Sequence, residues 1–179
     1  KDCSFYGNTA IGDGGAVGCR GPGQLFVYDS RFIDNVASNN GGAISMNEAD
    51  QIGLYTAANE AYSPIDGWSL LFQGNQARFA GGALEIAHCP LVQIIGAAFV
   101  SNKANAATLY LAFSKDVQIT KSLVQDGKSS QGYELSLSSS TGTVTFSTLT
   151  DAHSCTGLRL DDSTLSVSDS IFWSSPLLI

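Results

Sequence analysis

Short runs in which apolar residues alternate with others recur down the chain. Leu25-Phe26-Val27-Tyr28, Val92-Gln93-Ile94-Ile95, Val117-Gln118-Ile119-Thr120 and Leu165-Ser166-Val167-Ser168 share one template, and Val144-Thr145-Phe146-Ser147 is a looser copy. Alternation of period two over runs bounded by Gly, Ser and Asp predicts strands. A second set of runs reads apolar–x–apolar: Val17 and Cys19, Ile44 and Met46, Leu84 and Ile86, Leu109 and Leu111, Leu135 and Leu137, Leu158 and Leu160. The residues between them, Gly18, Ser45, Glu85, Tyr110, Ser136 and Arg159, are then expected on the outward face. No stretch sustains an i, i+3, i+4 apolar pattern with a capping signal, so no helix is expected.

Both sets follow one period. A large apolar slot falls on Phe5, Phe32, Phe72, Phe99, Val124, Leu149 and Phe172, at gaps of 23 to 27 residues apart from 40 between Phe32 and Phe72. In three copies the slot opens a fixed phrase, with Asn three residues later and a glycine pair nine and ten residues later: Phe5, Asn8, Gly14, Gly15; Phe32, Asn35, Gly41, Gly42; Phe72, Asn75, Gly81, Gly82. Phe99 and Asn102 open a fourth, where Ala106-Ala107 replaces the glycines. A repeat near 25 residues, built of short strands without a helix, predicts a right-handed parallel β-helix of about six to seven coils, with equivalent residues stacked about 4.8 Å apart. The long gap is assigned to a loop insertion over 49–67, and the whole of 1–179 to one β-helix domain, expected to belong to a longer chain. The Asn column is expected to link coils through its amides and to tolerate left-handed backbone at a corner. The glycine pair is expected to permit the bend before the inward strand.

Composition narrows the surface. Charged residues make up 14% of the chain, against roughly a quarter in typical domains, so small polar side chains must cover the outside. Net charge is −7, and Lys and Arg form no cluster along the sequence. Nucleic-acid binding and attraction to anionic lipid are therefore not expected. No apolar run approaches the length of a membrane span, so this segment is not expected to insert.

Candidate chemistry is sparse. Cys3 and Cys19 flank the first repeat and form a possible disulfide, with four small core residues as the alternative reading of the cysteines. No zinc spacing, serine-hydrolase phrase or phosphate loop is present, and neither a cofactor nor a metal is expected. The carboxylates Asp13, Asp29, Asp34, Glu48, Glu85, Asp116, Asp126, Glu134 and Asp151 are scattered, and the adjacent pair Asp161-Asp162 falls on alternate faces unless it lies in a turn. No asparagine stands in an N-x-Ser/Thr sequence.

The phrase FxxN with GGA and a branched apolar residue, carried by Phe5-Tyr6-Gly7-Asn8, Phe32-Ile33-Asp34-Asn35, Phe72-Gln73-Gly74-Asn75 and Phe99-Val100-Ser101-Asn102, resembles the repeat of the chlamydial polymorphic outer membrane proteins. The resemblance implies an extracellular or cell-surface β-helix module, adhesive or structural. It weakens after residue 105, where Val124, Leu149 and Phe172 lack the Asn.

Two candidate recognition features remain. One is the outward stripe Glu85, Tyr110, Ser136, Arg159; the other is the insertion with Tyr55, Tyr62 and Trp68 at its edges. Expected partners are protein, through end-to-end self-association or adjoining domains, or a surface glycan. The apolar Pro176-Leu177-Leu178-Ile179 adds to the end-to-end expectation, because open solenoid ends need capping or pairing. The alternative function is a polysaccharide lyase or hydrolase of the same fold, which would need carboxylates converging in one groove.

Overall fold

A computed structural model describes residues 1–56, 68–131, 133–150 and 156–173. Each coil lays its strands beside those of the coil before it, giving four parallel sheets. The first sheet stacks β1 (Ser4–Tyr6), β5 (Arg31–Ile33), β9 (Leu70–Gln73), β13 (Ala97–Val100), β17 (Leu123–Gln125), β21 (Thr148–Thr150) and β24 (Ile171–Trp173). The second is built of two-residue strands: β2 (Thr9–Ala10), β6 (Val36–Ala37), β10 (Gln76–Ala77), β14 (Lys103–Ala104) and β18 (Lys128–Ser129). The third holds β3 (Val17–Arg20), β7 (Ile44–Asn47), β11 (Leu84–Ala87), β15 (Ala107–Ala112), β19 (Tyr133–Ser138) and β22 (Thr156–Asp161). The fourth holds β4 (Gln24–Tyr28), β8 (Gln51–Tyr55), β12 (Leu91–Ile95), β16 (Asp116–Thr120), β20 (Thr141–Thr145) and β23 (Thr164–Ser168). The described residues contain no helix, and the chain is an all-β parallel solenoid of about six coils.

Register follows the apolar slot without a slip. Phe5 pairs with Phe32, Phe32 with Phe72, Phe72 with Phe99, then Val124, Leu149 and Phe172 in turn. Phe5, Phe32, Phe72 and Phe99 stack ring on ring at 4.6, 4.7 and 4.8 Å with interplanar angles of 7°, 2° and 17°. Aromatic pairs left to themselves prefer offset or edge-on geometry. Here the strand spacing sets the ring spacing, so equal side chains in equal rotamers must face one another. These rings and the paired aliphatics of the third sheet, Ile44 and Met46 through Leu135 and Leu137, form one continuous core.

Three corner positions carry left-handed backbone in coil after coil. One column runs Asp29, Gly96, Lys121, Phe146, Asp169; the next Glu48, His88, Phe113, Ser139, Asp162; the third Gly7, Asp34, Gly74, Ser101, Asp126. The third column corrects the expectation for asparagine. The strained residue stands one place before each Asn, which frees the Asn side chain to turn inward. The glycine pair also divides its labour. Gly14, Gly41 and Gly81 take φ of +69°, +63° and +65°, whereas Gly15 and Gly42 show no positive φ but face the backbone of the following coil at close range.

Two expectations need correction. The insertion does not begin at Ala49, because Ala49 is buried in the core and 51–55 is strand β8, paired with β4 and β12. The extra chain therefore follows Tyr55, and Tyr62 lies outside the described residues. Cys3, Cys19 and Cys89 are all free thiols. Cys3 sits just before the first sheet and Cys19 on the third, so flanking one repeat in sequence does not make them a bridged pair.

Candidate functional site

The asparagine column forms a ladder inside the solenoid. Asn35 donates its backbone N–H and Nδ2 to Asn75 Oδ1 at 3.0 and 2.9 Å, and Asn75 repeats both bonds to Asn102 Oδ1. Each Nδ2 also reaches back to a carbonyl at the slot: Asn35 to Phe5, Asn75 to Phe32, Asn102 to Phe72. Asn35, Asn75 and Asn102 are fully buried, so these amides are structural and offer nothing to a ligand.

Serines build a comparable device at a different corner, just before the first sheet, where it already operates in the first coils: Cys3 donates its backbone N–H to the Ser30 hydroxyl, which donates to the Tyr28 carbonyl. Ala97, Ser122 and Ser147 donate backbone N–H groups to the hydroxyls of Ser122, Ser147 and Ser170 at 3.3, 3.2 and 3.1 Å. Each of those hydroxyls donates to the carbonyl two residues before it. A second serine column, Ser114, Ser140 and Ser163, does the same at the next corner. Serine is too common in this chain for its periodic placement to stand out, so sequence reasoning missed both columns.

The expected outward stripe is in register: Glu85 pairs with Tyr110, Tyr110 with Ser136, and Ser136 with Arg159. It is not an open surface. Ser45, Glu85 and Ser136 are 4%, 8% and 3% exposed, Tyr110 is half-buried, and Arg159 is exposed, beside the Tyr133 ring and 3.6 Å from Asp161. Burial pushes the Glu85 carboxyl above the usual carboxylate range, partly offset by the Ser45 hydroxyl, which donates to Oε2 at 2.6 Å. A carboxyl raised in the folded state favours folding as pH falls through its folded value, and the gain is complete below its unfolded value. Glu85→Gln is therefore expected to raise the melting temperature at neutral pH, and the difference from the parent should shrink on acidification below the ordinary carboxyl range. A melting-temperature difference that stays constant across that pH series would contradict the assignment.

The insertion residues separate onto different faces. Tyr55 is part of β8, stacked on Tyr28 at 5.2 Å, and its hydroxyl donates to Gln93 Oε1 at 2.7 Å. With Phe26 and Tyr28, which are exposed, it makes an aromatic patch on the fourth sheet. Desolvation, then the neighbouring Tyr28, push the Tyr55 phenol up. Trp68 instead packs with Leu123 against Leu71, Ala98 and Val100 on the outer face of the first sheet.

A feature absent from the linear sequence lies on the second sheet. A groove of about 640 Å³ runs across β6, β10, β14 and β18, with Arg78, Lys103 and Lys128 on its walls. Steps of 25 residues separate these cations in sequence, close to one coil each, so no local run of charge announces them.

The carboxylates are dispersed and employed in the scaffold. Asp13 accepts from Asn40, Asp29 from Ser69, Asp126 from Gln125, and the buried Glu134 from the Gly127 N–H at 2.6 Å. Among the described residues no three His, Cys, Asp or Glu side chains gather as metal ligands. Asp151 and His153 lie outside them. No helix among the described residues is long and apolar enough to cross a membrane, which leaves spanning by strands unaddressed.

The family model of the Chlamydia polymorphic membrane protein (Chlamydia_PMP) repeat matches residues 2–20 and 29–47, each running from the first sheet through the glycine pair to the third. No curated protein and no solved structure matches the chain. The two matches span Phe5, Asn8, Gly14 and Gly15 and then Phe32, Asn35, Gly41 and Gly42, and the chain is a parallel β-solenoid that carries the Chlamydia polymorphic membrane protein repeat in its first two coils.

Proposed function

We propose that the chain is a non-enzymatic, surface-exposed solenoid module that holds binding faces along a stiff rod. The observation that carries this reading is the pair of family-repeat matches on a scaffold whose buried polar groups serve coil-to-coil bonding. A rigid ladder keeps lateral side chains at fixed spacing, which suits adhesion or spacing more than chemistry that needs converging acids. The module lies outside the cell membrane. Antibodies against the chain should label intact cells that make the protein, before permeabilisation; labelling only after permeabilisation would sink the reading. Incubation with acidic and neutral polysaccharides should release no sugar, and a released product would restore the lyase or hydrolase alternative.

The rod's ends are adhesive in the same reading. Leu160, Val167 and Phe172 of the last described coil are 44%, 43% and 37% exposed, though their counterparts one coil inward, Leu137, Val144 and Leu149, are buried. Further coils or a second copy cover this end. Sedimentation of the isolated chain should show concentration-dependent association, and a monomer at all concentrations would count against it.

A further inference from the structure

We propose that the groove on the second sheet binds a linear anionic polysaccharide, with its carboxylates or sulfates seated against Arg78, Lys103 and Lys128. The chain holds 9 Lys and Arg against 16 Asp and Glu, yet three of the cations stand around one groove whose lining contains no acid. Lys103 and Lys128 are direct register partners on adjacent strands, so their backbones stand about 4.8 Å apart and both exposed side chains leave the same face of the sheet. An anionic chain laid along that face would meet both ammonium groups. Among the described residues none of the three forms an ion pair; the ion pairs present belong to Lys1 and Arg159. Arg78 lies over the exposed Phe79 ring at 5.1 Å. The buried Glu134 accepts from the Gly127 N–H beneath this lining, whereas Arg78, Lys103 and Lys128 stand on the solvent side.

Shape selects the ligand class. The groove crosses four coils along the rod, about 15 Å by strand spacing, which suits several units of a chain better than one small ion. Its floor is made of Ala77 and Ala104, both nearly buried, and Gln76 and Asn105 add amides on its walls. Amides beside cations hydrogen-bond sugar hydroxyls while the charges hold the acid groups. No aromatic side chain lines the groove, so it lacks the stacking platforms that single-stranded nucleic acid uses. A concave trough is also poorly shaped for the plane of a lipid surface. The assignment does not depend on where the protein resides.

The test is calorimetric titration of the chain with oligogalacturonates and with sulfated glycosaminoglycan oligosaccharides of defined length, and with neutral malto-oligosaccharides of the same length. The acidic chains are expected to bind and the neutral ones not, with affinity falling as salt rises. K103Q/K128Q should weaken binding by about tenfold, K103R/K128R should retain it, and the distant pair K115Q/K121Q should leave it unchanged. All four lysines are solvent-exposed, so thermal unfolding of the three double variants should be the same as for the parent. Binding that K103Q/K128Q does not weaken, or no binding of either acidic series, overturns the proposal. So does tighter binding, through the same lysines, of oligo-dT or of vesicles containing phosphatidylserine.

Discussion

Replacing Asn75 by alanine is expected to lower the unfolding free energy by about 4 kcal/mol. The side chain stands in the middle of the buried ladder, where it accepts from the Asn35 backbone and amide and donates to Phe32 O and Asn102 Oδ1. Alanine removes all four bonds at once. The Asn35 N–H and one Asn35 amide hydrogen are left in a space that water does not reach, because Asn35 and Asn75 are both 0% exposed. Orphaned buried groups cost about 1–3 kcal/mol each when nothing replaces the partner, and partial relaxation of the coils reduces the sum. Asn75→Asp does not rescue, since it keeps the acceptor but buries a charge and loses both donors. The control is Asn8→Ala at the exposed end, which loses one amide bond to Asn35 and should cost about 1 kcal/mol or less. Urea unfolding of the three variants decides the matter; equal losses for Asn8→Ala and Asn75→Ala would show that the ladder is not a buried network.

Coil register was legible in the sequence because the core tolerates one side-chain class per column. Phe5, Phe32, Phe72, Phe99, Val124, Leu149 and Phe172 pair in the order in which the sequence presents them. Even the gap between Phe32 and Phe72 could be absorbed, since added chain between strands leaves their register intact. Its starting point was not legible. Gln51-Ile52-Gly53-Leu54-Tyr55 has a glycine at its centre and lies beside an Ala-rich stretch, so its alternation reads weakly. The neighbours β4 and β12 nonetheless recruit it as β8. The decay of the FxxN phrase after residue 105 was legible as a loss, but the serine columns at the other corners were not legible at all. There a serine hydroxyl bonds its own coil's carbonyl and the preceding coil's N–H, and single serines carry no signature.

The lateral faces were harder to read for a physical reason. In a solenoid, residues 25 apart are neighbours and residues two apart share a face, so charge must be summed along columns. Linear inspection finds no basic run, whereas Lys103 and Lys128 pair in register and Arg78 stands two residues beyond Gln76, the partner of Lys103. The opposite error arose on the third sheet. The column Glu85, Tyr110, Ser136, Arg159 was placed correctly on the outward face, but outward is not the same as exposed. Ser45 and Glu85 satisfy each other there at 2.6 Å, and Ser136 is covered. Periodicity reports which face a residue joins; it is silent on what else lies over that face.

Gly42→Ala should be about as damaging as the loss of Asn75, at about 4 kcal/mol, and for a reason that turn chemistry does not supply. Gly42 has no positive φ, so alanine meets no Ramachandran barrier of its own. Its Cβ would instead overlap the Gly82 carbonyl oxygen and come within 2.6 Å of Gln76 N, both backbone atoms of the next coil. Those atoms cannot yield separately, because Gly42 N donates to Gly81 O at 2.9 Å and Ala43 N to Ala83 O at 3.0 Å. Relief requires prising the second coil from the third, which breaks the β6–β10 and β7–β11 pairings together. Gly82→Ala should cost less, since its closest contacts are at 2.8 Å, and Ala107 already holds the equivalent place one coil later. Gly7→Ala should cost only about 1–2 kcal/mol, because φ is +62° but nothing lies within 4 Å of the added carbon. Hydrogen exchange provides the readout: Gly42→Ala should release the amides of β3 and β7 while β15 and β19 stay protected. A loss at Gly42 no greater than at Gly7 would mean that the second glycine serves the bend alone and that coil separation is softer than these contacts imply.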